Sequence, residues 1–365
     1  MSPNNLSKEI AFNALREFFQ EKPFLFIGTG MSCVVDNRFG MSALTDELVK
    51  NVGKICSSKE QRKQWTTVEK AIQNKKDLES ALDAVSDELL LKHIISATSR
   101  FIASIDREYA FKIARCEVEW PAITLLKRLV ETLPEGDRAL HILTPNYDML
   151  LEYACDCACI LYTNGFSGGI ERVLDWGPAI RSLQQPEQVM HGGKLKRVYK
   201  PRKHVQLYKV HGSLNYFYHH GRCIENNAWM WDPPDFAQRV MITPGLSKYE
   251  VLQKYRQELL QKADETIMRE NHYLFLGYGF NDKHLEEYIK RKLVQQGCAG
   301  LIITMDPNPR IQSLLSQANN LWLVCKAPEP EKGTRIYNKQ YTDSLYLPGQ
   351  SLWDIAQFTR EILGG

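Results

Sequence analysis

The 365-residue chain contains no uninterrupted apolar run long enough to span a bilayer, which excludes a membrane-spanning helix. Residues Met1 to Gln20 carry Lys8, Glu9, Arg16 and Glu17 and hold no apolar core of secretory length, so no export signal is expected. A soluble cytoplasmic protein is the expectation. Paired CxxC spacings are also missing. Structural zinc normally takes four ligands from two such pairs, whereas Cys223, Cys298 and Cys325 stand alone among the nine cysteines. The tight run Cys155, Cys157, Cys159 follows Leu150-Leu151-Glu152-Tyr153-Ala154, a helical sequence that would scatter the three thiols. Buried or half-buried free thiols are expected there, and no metal.

Charge of one sign is scarce as well. A formal net charge of +3 is too small to argue for direct nucleic-acid binding, which rests on many clustered cations. The one dense basic stretch, Lys194, Lys196, Arg197, Lys200, Arg202 and Lys203, reads as a solvated loop, with contact to an acidic partner as the alternative. Hydrophobic residues at 44% and charged residues at 24% describe an ordinary globular chain able to bury a core.

Between Ser42 and Glu131 glycine and proline almost vanish, leaving Gly53 and Pro121. This Glu-, Lys-, Ala- and Leu-rich stretch predicts a bundle of helices, an insertion over about 45–135. Around it lie short apolar runs of the kind that form buried parallel strands: 24–27, 141–144, 206–210, 273–276, 301–304 and 321–324. Helices are expected at 6–19, 248–269, 283–295, 309–318 and 351–363. Strands alternating with helices predict an α/β fold, a Rossmann-like parallel sheet of about six strands covered on both faces. Residues 160–205 read as an irregular insertion because glycines interrupt every period. The body is expected to span 1–345, and 346–365 to dock through Trp353 and Phe358 onto the body or a partner.

Four of the predicted strands end in polar or glycine-rich sequence, where open parallel sheets bind ligands. Gly28-Thr29-Gly30-Met31-Ser32 follows the first. Its glycines and a helix start favour a pyrophosphate, although a tight turn is the plain alternative. The loop lacks a P-loop lysine, which argues against a nucleoside triphosphatase, and lacks the third glycine of a dehydrogenase. Thr144-Pro145-Asn146-Tyr147-Asp148 follows the second strand and could be a helix cap or a site. Lys209-Val210-His211-Gly212-Ser213 follows the third; a neutral imidazole is a natural proton acceptor near pH 7. Gly277-Tyr278-Gly279-Phe280-Asn281-Asp282 follows the fourth and opens a helix. His219, His220, His272 and His284 have no spacing that indicates a site.

In order, these clusters resemble the sirtuin-like family: a GAGxS-type loop at Gly28 to Ser32, TxNYD at Thr144 to Asp148, KxHGS at Lys209 to Ser213, and a GYSxxD-like element at Gly277 to Asp282. Gly40-Met41-Ser42 and Thr243-Pro244 with Tyr249 add looser matches over residues 20–310. The zinc ribbon and the GIPDFR element of the deacylases are missing, with Val34 to Phe39 at best an approximate substitute for the latter. The resemblance therefore points to the zinc-free bacterial branch, anti-phage effectors that deplete NAD, often beside a HerA-type hexameric ATPase.

That resemblance implies NAD as substrate, no metal, and cleavage of the nicotinamide–ribose bond to nicotinamide and ADP-ribose. It casts His211, Asn146 and Asp148 as catalytic. Gly28, Thr29, Gly30, Met31, Ser32, Thr144, Tyr147, Gly277, Tyr278, Gly279 and Asp282 would bind the dinucleotide. A homo-oligomer is expected. The alternatives are an NAD-dependent deacylase or ADP-ribosyltransferase, and a non-catalytic NAD or ADP-ribose sensor.

Overall fold

A computed structural model of the protein describes residues 5–241, 250–281 and 283–364. A nine-stranded sheet runs through it. Six of its strands, Phe24–Ile27, Ala139–Thr144, His204–Lys209, His272–Leu276, Ala299–Thr304 and Leu321–Lys326, are mutually parallel. Numbered in chain order they lie 3-2-1-4-5-6, the dinucleotide-fold arrangement, with the strand order reversing beside Phe24–Ile27. The dipeptide strand Tyr162–Thr163 adds to one edge in parallel. At the other edge Gly333–Asn338 and Leu345–Pro348 pair antiparallel.

Side-chain alternation explains how one short strand serves two helical layers. Leu25 and Ile27 join the core beneath the inserted helices. Phe24 and Phe26 point the other way, among Leu260, Ala263 and Ile267 of the helix Glu250–Arg269 and Leu285 and Ile289 of the helix Lys283–Lys290. Residues 248 and 249 of the predicted helix lie outside the described residues.

The insertion folds as five helices, Met41–Ile55, Lys59–Gln73, Leu78–Leu82, Glu88–Ala114 and Ile123–Glu131. Ser58 and Gln61 close a reciprocal capping box on the second, and Asp87 caps the long fourth helix. No helix among the described residues is long and apolar enough to cross a membrane.

Two expectations fail. Residues 160–205, read as irregular, contain ordered strands, and the basic stretch read as a loop is itself one of them. Gln184–His191 and Lys194–Pro201 form an exposed antiparallel hairpin. It turns on Gly192 and Gly193 at φ +57° and +74°, the double positive φ that a two-residue turn demands. Phe166–Gly168 and Arg172–Leu174 belong to a second, antiparallel sheet with Arg222–Glu225, Gly212–His219 and Gln238–Met241. Gly212 joins the two sheets at φ +85°, where a Cβ would lie 2.0 Å from the Val240 carbonyl oxygen, so only glycine fits.

The cysteine run meets expectation in part: its thiols are free and a helix scatters them, but two are more exposed than expected. The helix Leu150–Cys157 buries Cys155, but Cys157 and Cys159 are exposed. The tail docks on the chain's own body: Phe358 is buried against Phe19, ring centroids 6.0 Å apart, and Arg16 donates to the Ile362 carbonyl at 3.0 Å. Its helix is short, Ile355–Phe358, followed by a π-helical turn over Thr359–Leu363.

Candidate functional site

The glycine loop, the Asn146–Asp148 loop, the His211 turn and the Gly277–Asn281 turn all leave the carboxyl ends of neighbouring strands in the six-strand array. Gly28 and Gly30 are required by packing between two of these loops. Their N–H groups donate to the carbonyls of Leu276 at 2.9 Å and Gly277 at 3.1 Å. A Cβ on Gly28 would lie 2.3 Å from the Gly277 oxygen. Gly277 answers with φ +54°. The Met31 N–H donates to the Gly28 carbonyl. The N–H groups of Gly28, Gly30 and Met31 expected to face a pyrophosphate are thus engaged with protein carbonyls. The helix that follows, Thr29–Val35, is two turns long.

Side chains carry the connection to the second loop. Ser32 donates to the Asp148 carboxylate at 2.8 Å, Asn146 donates from Nδ2 to the Ser32 hydroxyl at 3.1 Å, and Thr29 donates to Asn146 Oδ1 at 3.3 Å. Both amide ends of Asn146 are therefore held, which fixes its orientation. The Asn146 N–H donates to Thr144 Oγ1 at 3.1 Å, tightening the turn locally. Asp148 Oδ1 accepts from the Leu150 N–H at 3.3 Å at the start of the helix Leu150–Cys157.

The third loop is joined to the second mainly through backbone. The Val210 N–H donates to the Thr144 carbonyl at 3.3 Å and the Leu214 N–H to the Tyr147 carbonyl at 3.0 Å. Lys209 Nζ donates to the Asp148 carbonyl at 2.6 Å. His211 sits half-buried between these clasps.

Burial divides the candidate residues. Thr29, Gly30, Asn146, Tyr147, His211, Gly277 and Gly279 remain partly open to solvent. Gly28, Met31, Ser32, Thr144, Asp148 and Tyr278 are buried. The Tyr278 ring packs on Phe26 at 5.5 Å and Phe280 at 5.0 Å between centroids, so a ligand in the crevice would meet its backbone and not its ring. Asp282, Thr243, Pro244 and Tyr249 lie outside the described residues.

Beneath Asn146 a cavity of about 10 Å³, about the space of one water molecule, is lined by Ser32, Thr144, Asn146, Asp148 and Glu152 with apolar Ile27, Trp120 and Leu151. It is far too small for a dinucleotide. A larger cavity, about 430 Å³, is at the opposite end of the sheet, around Lys22, Asp137 and Glu270, and contains none of the candidate residues.

Burial pushes the Asp148 carboxyl above its ordinary range, an effect opposed by Lys209 and by the Ser32 hydroxyl. Glu152 is raised by burial in the same way and likewise opposed by Lys209. Burial, with the carboxylates of Asp148 and Asp36, also raises the Cys33 thiol, which keeps it protonated and poorly nucleophilic near neutrality.

Sequence reasoning missed three groups under the site. Glu152 pairs with Lys209 at 2.8 Å. Asp106, on the inserted helix Glu88–Ala114, accepts from the Met149 N–H at 2.7 Å, the Tyr153 hydroxyl at 2.7 Å and the Trp231 indole at 3.0 Å. Trp120 closes the cavity wall. Lys209 stood within the KxHGS motif and was readable there as a neighbour of His211; Asp106 and Glu152 carry no local signal. Among the described residues, no group of three or more His, Cys, Asp or Glu side chains is placed to hold a metal ion.

A protein-family model described as the SIR2-like domain matches residues 140–323, just over half of the chain. The match takes in the Asn146–Asp148, His211 and Gly277 loops and leaves out the glycine loop, which the Ser32 and Thr29 hydrogen bonds tie to the same site. A comparison with curated proteins found no match.

Proposed function

The chain belongs to the SIR2-like domain family, whose enzymes use NAD, and from that premise we propose that it is an NAD glycohydrolase. The reading rests above all on one observation: Thr29, Ser32, Asn146 and Asp148 form one hydrogen-bonded chain, clasped by backbone bonds to the turn that carries His211. The residues present suit the substrate in kind. A half-exposed carboxamide, a half-exposed imidazole and accessible backbone at Gly30, Gly277 and Gly279 border a crevice at the point where the strand order reverses.

The reaction breaks the bond between the nicotinamide nitrogen and the ribose C1 carbon; water supplies the new hydroxyl, one proton is released, and nicotinamide and ADP-ribose result. Asn146, fixed at both ends of its amide, orients the ribose and the attacking water. Asp148 shares that orienting role by accepting from the Ser32 hydroxyl that holds the Asn146 amide, a preorganised arrangement that needs no rearrangement during reaction. His211 accepts the proton from water or a ribose hydroxyl. Thr29, Gly30, Gly277 and Gly279 border the pyrophosphate and adenosine half.

NAD loss kills the cell that hosts it, so an anti-phage effector held off until triggered fits this chemistry, as the zinc-free branch resemblance implies. A homo-oligomer and a HerA-type hexameric ATPase are the partners proposed for control.

Nicotinamide release from NAD by the purified full chain, alone and with the candidate ATPase, tests the reading. Release without any acyl peptide is expected, abolished by His211→Ala and by Asn146→Ala with the circular dichroism spectrum unchanged. Release that requires an acyl peptide would favour a deacylase, and saturable NAD binding with no release in any assembly a sensor. Wild-type rates in His211→Ala would sink the mechanism.

A further inference from the structure

Lys209 is wholly buried, yet it is a lysine. Its ammonium carries three N–H groups, and three acceptors surround it: the Asp148 carbonyl at 2.6 Å, Glu152 Oε1 at 2.8 Å and the Met149 sulfur at 3.5 Å. It therefore has no freedom to rotate to other partners. All three acceptors belong to the segment that begins with Asp148 and continues into the helix Leu150–Cys157, while Lys209 itself ends the strand that leads to His211.

Stability alone gives a weak reason for this arrangement. Taking two charges out of water costs about as much as their attraction returns, and a well-packed apolar pair of similar volume often does as well. Placement supplies a better reason. Glu152 and Asp148 both line the small cavity beneath Asn146, so the Lys209–Glu152 pair forms the floor on which the Asn146–Asp148 loop rests. The bond to the Asp148 carbonyl ties strand to loop by a side chain; the Val210 and Leu214 backbone bonds and the Ser213 hydroxyl, which donates to the Tyr147 carbonyl at 3.4 Å, lie on either side of it.

We propose that Lys209 is a positioning residue that sets the height and orientation of the Asn146–Asp148 loop relative to His211. The proposal rests on the NAD-cleavage reading of that loop. It assigns Lys209 no contact with substrate. Its effect is to hold Asp148 and His211 at a fixed separation, and a displacement near 1 Å in such a constellation costs about 100-fold in rate.

The full-length chain tests this in three forms: wild type, Lys209→Met, and Lys209→Met with Glu152→Gln. The single variant leaves Glu152 buried without its cation, so a loss of both melting temperature and nicotinamide release is expected. The double variant removes both charges and should regain most of the melting temperature. Its kcat for nicotinamide release should stay about 100-fold below wild type, with KM for NAD changed by less than about threefold. Hydrogen exchange over peptides spanning 146–150 and 209–214 should be about tenfold faster in the double variant, through the amides of Met149 and Leu214. A double variant with wild-type kcat and wild-type exchange overturns the proposal. If wild type releases no nicotinamide in any assembly, the hydrolase reading fails, and the exchange measurement still decides whether Lys209 positions the loop.

Discussion

The hydroxyl of Ser32 accepts a hydrogen bond from Asn146 Nδ2 at 3.1 Å and donates one to the Asp148 carboxylate at 2.8 Å. One small side chain from the first strand's loop thus orients two groups from the second strand's loop. Ser32→Ala removes an acceptor from Asn146 and a donor from a buried carboxylate. Hydrogen bonds to charged groups contribute about 1.5–3 kcal/mol, so nicotinamide release should fall about 10- to 100-fold. Steady-state kinetics check this, and an unchanged kcat would show that Asn146 is oriented by something else.

The glycine loop gives a prediction with an internal control. A Cβ at Gly28 would stand 2.3 Å from the Gly277 carbonyl oxygen and 2.6 Å from the Tyr278 Cα, both backbone atoms that cannot swing aside. Gly169 is exposed, with nothing within 4 Å of where a Cβ would sit. Gly28→Ala should cost about 1–3 kcal/mol or more from overpacking, and Gly169→Ala less than about 0.5 kcal/mol. Urea denaturation of both variants measures the difference. Equal midpoints would mean that the two loops do not meet as described.

How much of this was readable before the structure depends on whether the determining contact is local. The six parallel strands were legible because each is a short apolar run bounded by a turn, and their ends were legible because glycine and polar residues interrupt the hydrophobic pattern there. The hairpin at 184–201 had its signal too. Gly192-Gly193 is a two-residue turn sequence, but His191, Lys194 and Lys196 made the flanks look like solvated loop. The penultimate strand Gly333–Asn338 alternates in burial, yet that alternation arises only once it pairs with Leu321–Lys326 and Leu345–Pro348. Asp106 was invisible for a stronger reason. Its partners lie 43, 47 and 125 residues away, and nothing within its own helix distinguishes it from a solvated acid.

His141 provides a pH test independent of catalysis. It is half-buried against Phe24 and Tyr208, with Nδ1 3.0 Å from the Tyr208 hydroxyl. Burial, with Lys22 adding repulsion, drops it to about 3. Its folded value lies below its unfolded one, so the unfolded chain binds the extra proton as pH falls. Above about 6.5 the residue contributes no pH dependence. Between about 6.5 and 3 it removes up to about 1.4 kcal/mol of stability per pH unit. His141→Gln should flatten the acid limb of melting temperature against pH across that window. A limb of unchanged slope would mean that other groups carry it.

Asp106 connects the inserted helices to the site, because its Oδ2 accepts from Met149, the residue directly after Asp148. Its Oδ1 accepts from both Tyr153 and Trp231. Three donors converge on one carboxylate whose charged form burial disfavours. Asn at this position offers a single acceptor oxygen, and its NH2 would face either the Met149 N–H or the Trp231 indole, donor against donor. Leaving one buried donor unsatisfied costs about 1–3 kcal/mol, so Asp106→Asn should lower stability by that amount. The variant also distinguishes two roles for the insertion. If the helices only cover the sheet, nicotinamide release per folded molecule stays at the wild-type level. If they hold Asp148 in place through the Met149 bond, kcat falls in proportion to the disorder introduced there, read as faster exchange of the Met149 amide and a red-shifted Trp231 emission. We expect the second outcome, since the Asp106–Met149 bond ends one residue from the carboxylate that holds Ser32 and, through it, the Asn146 amide.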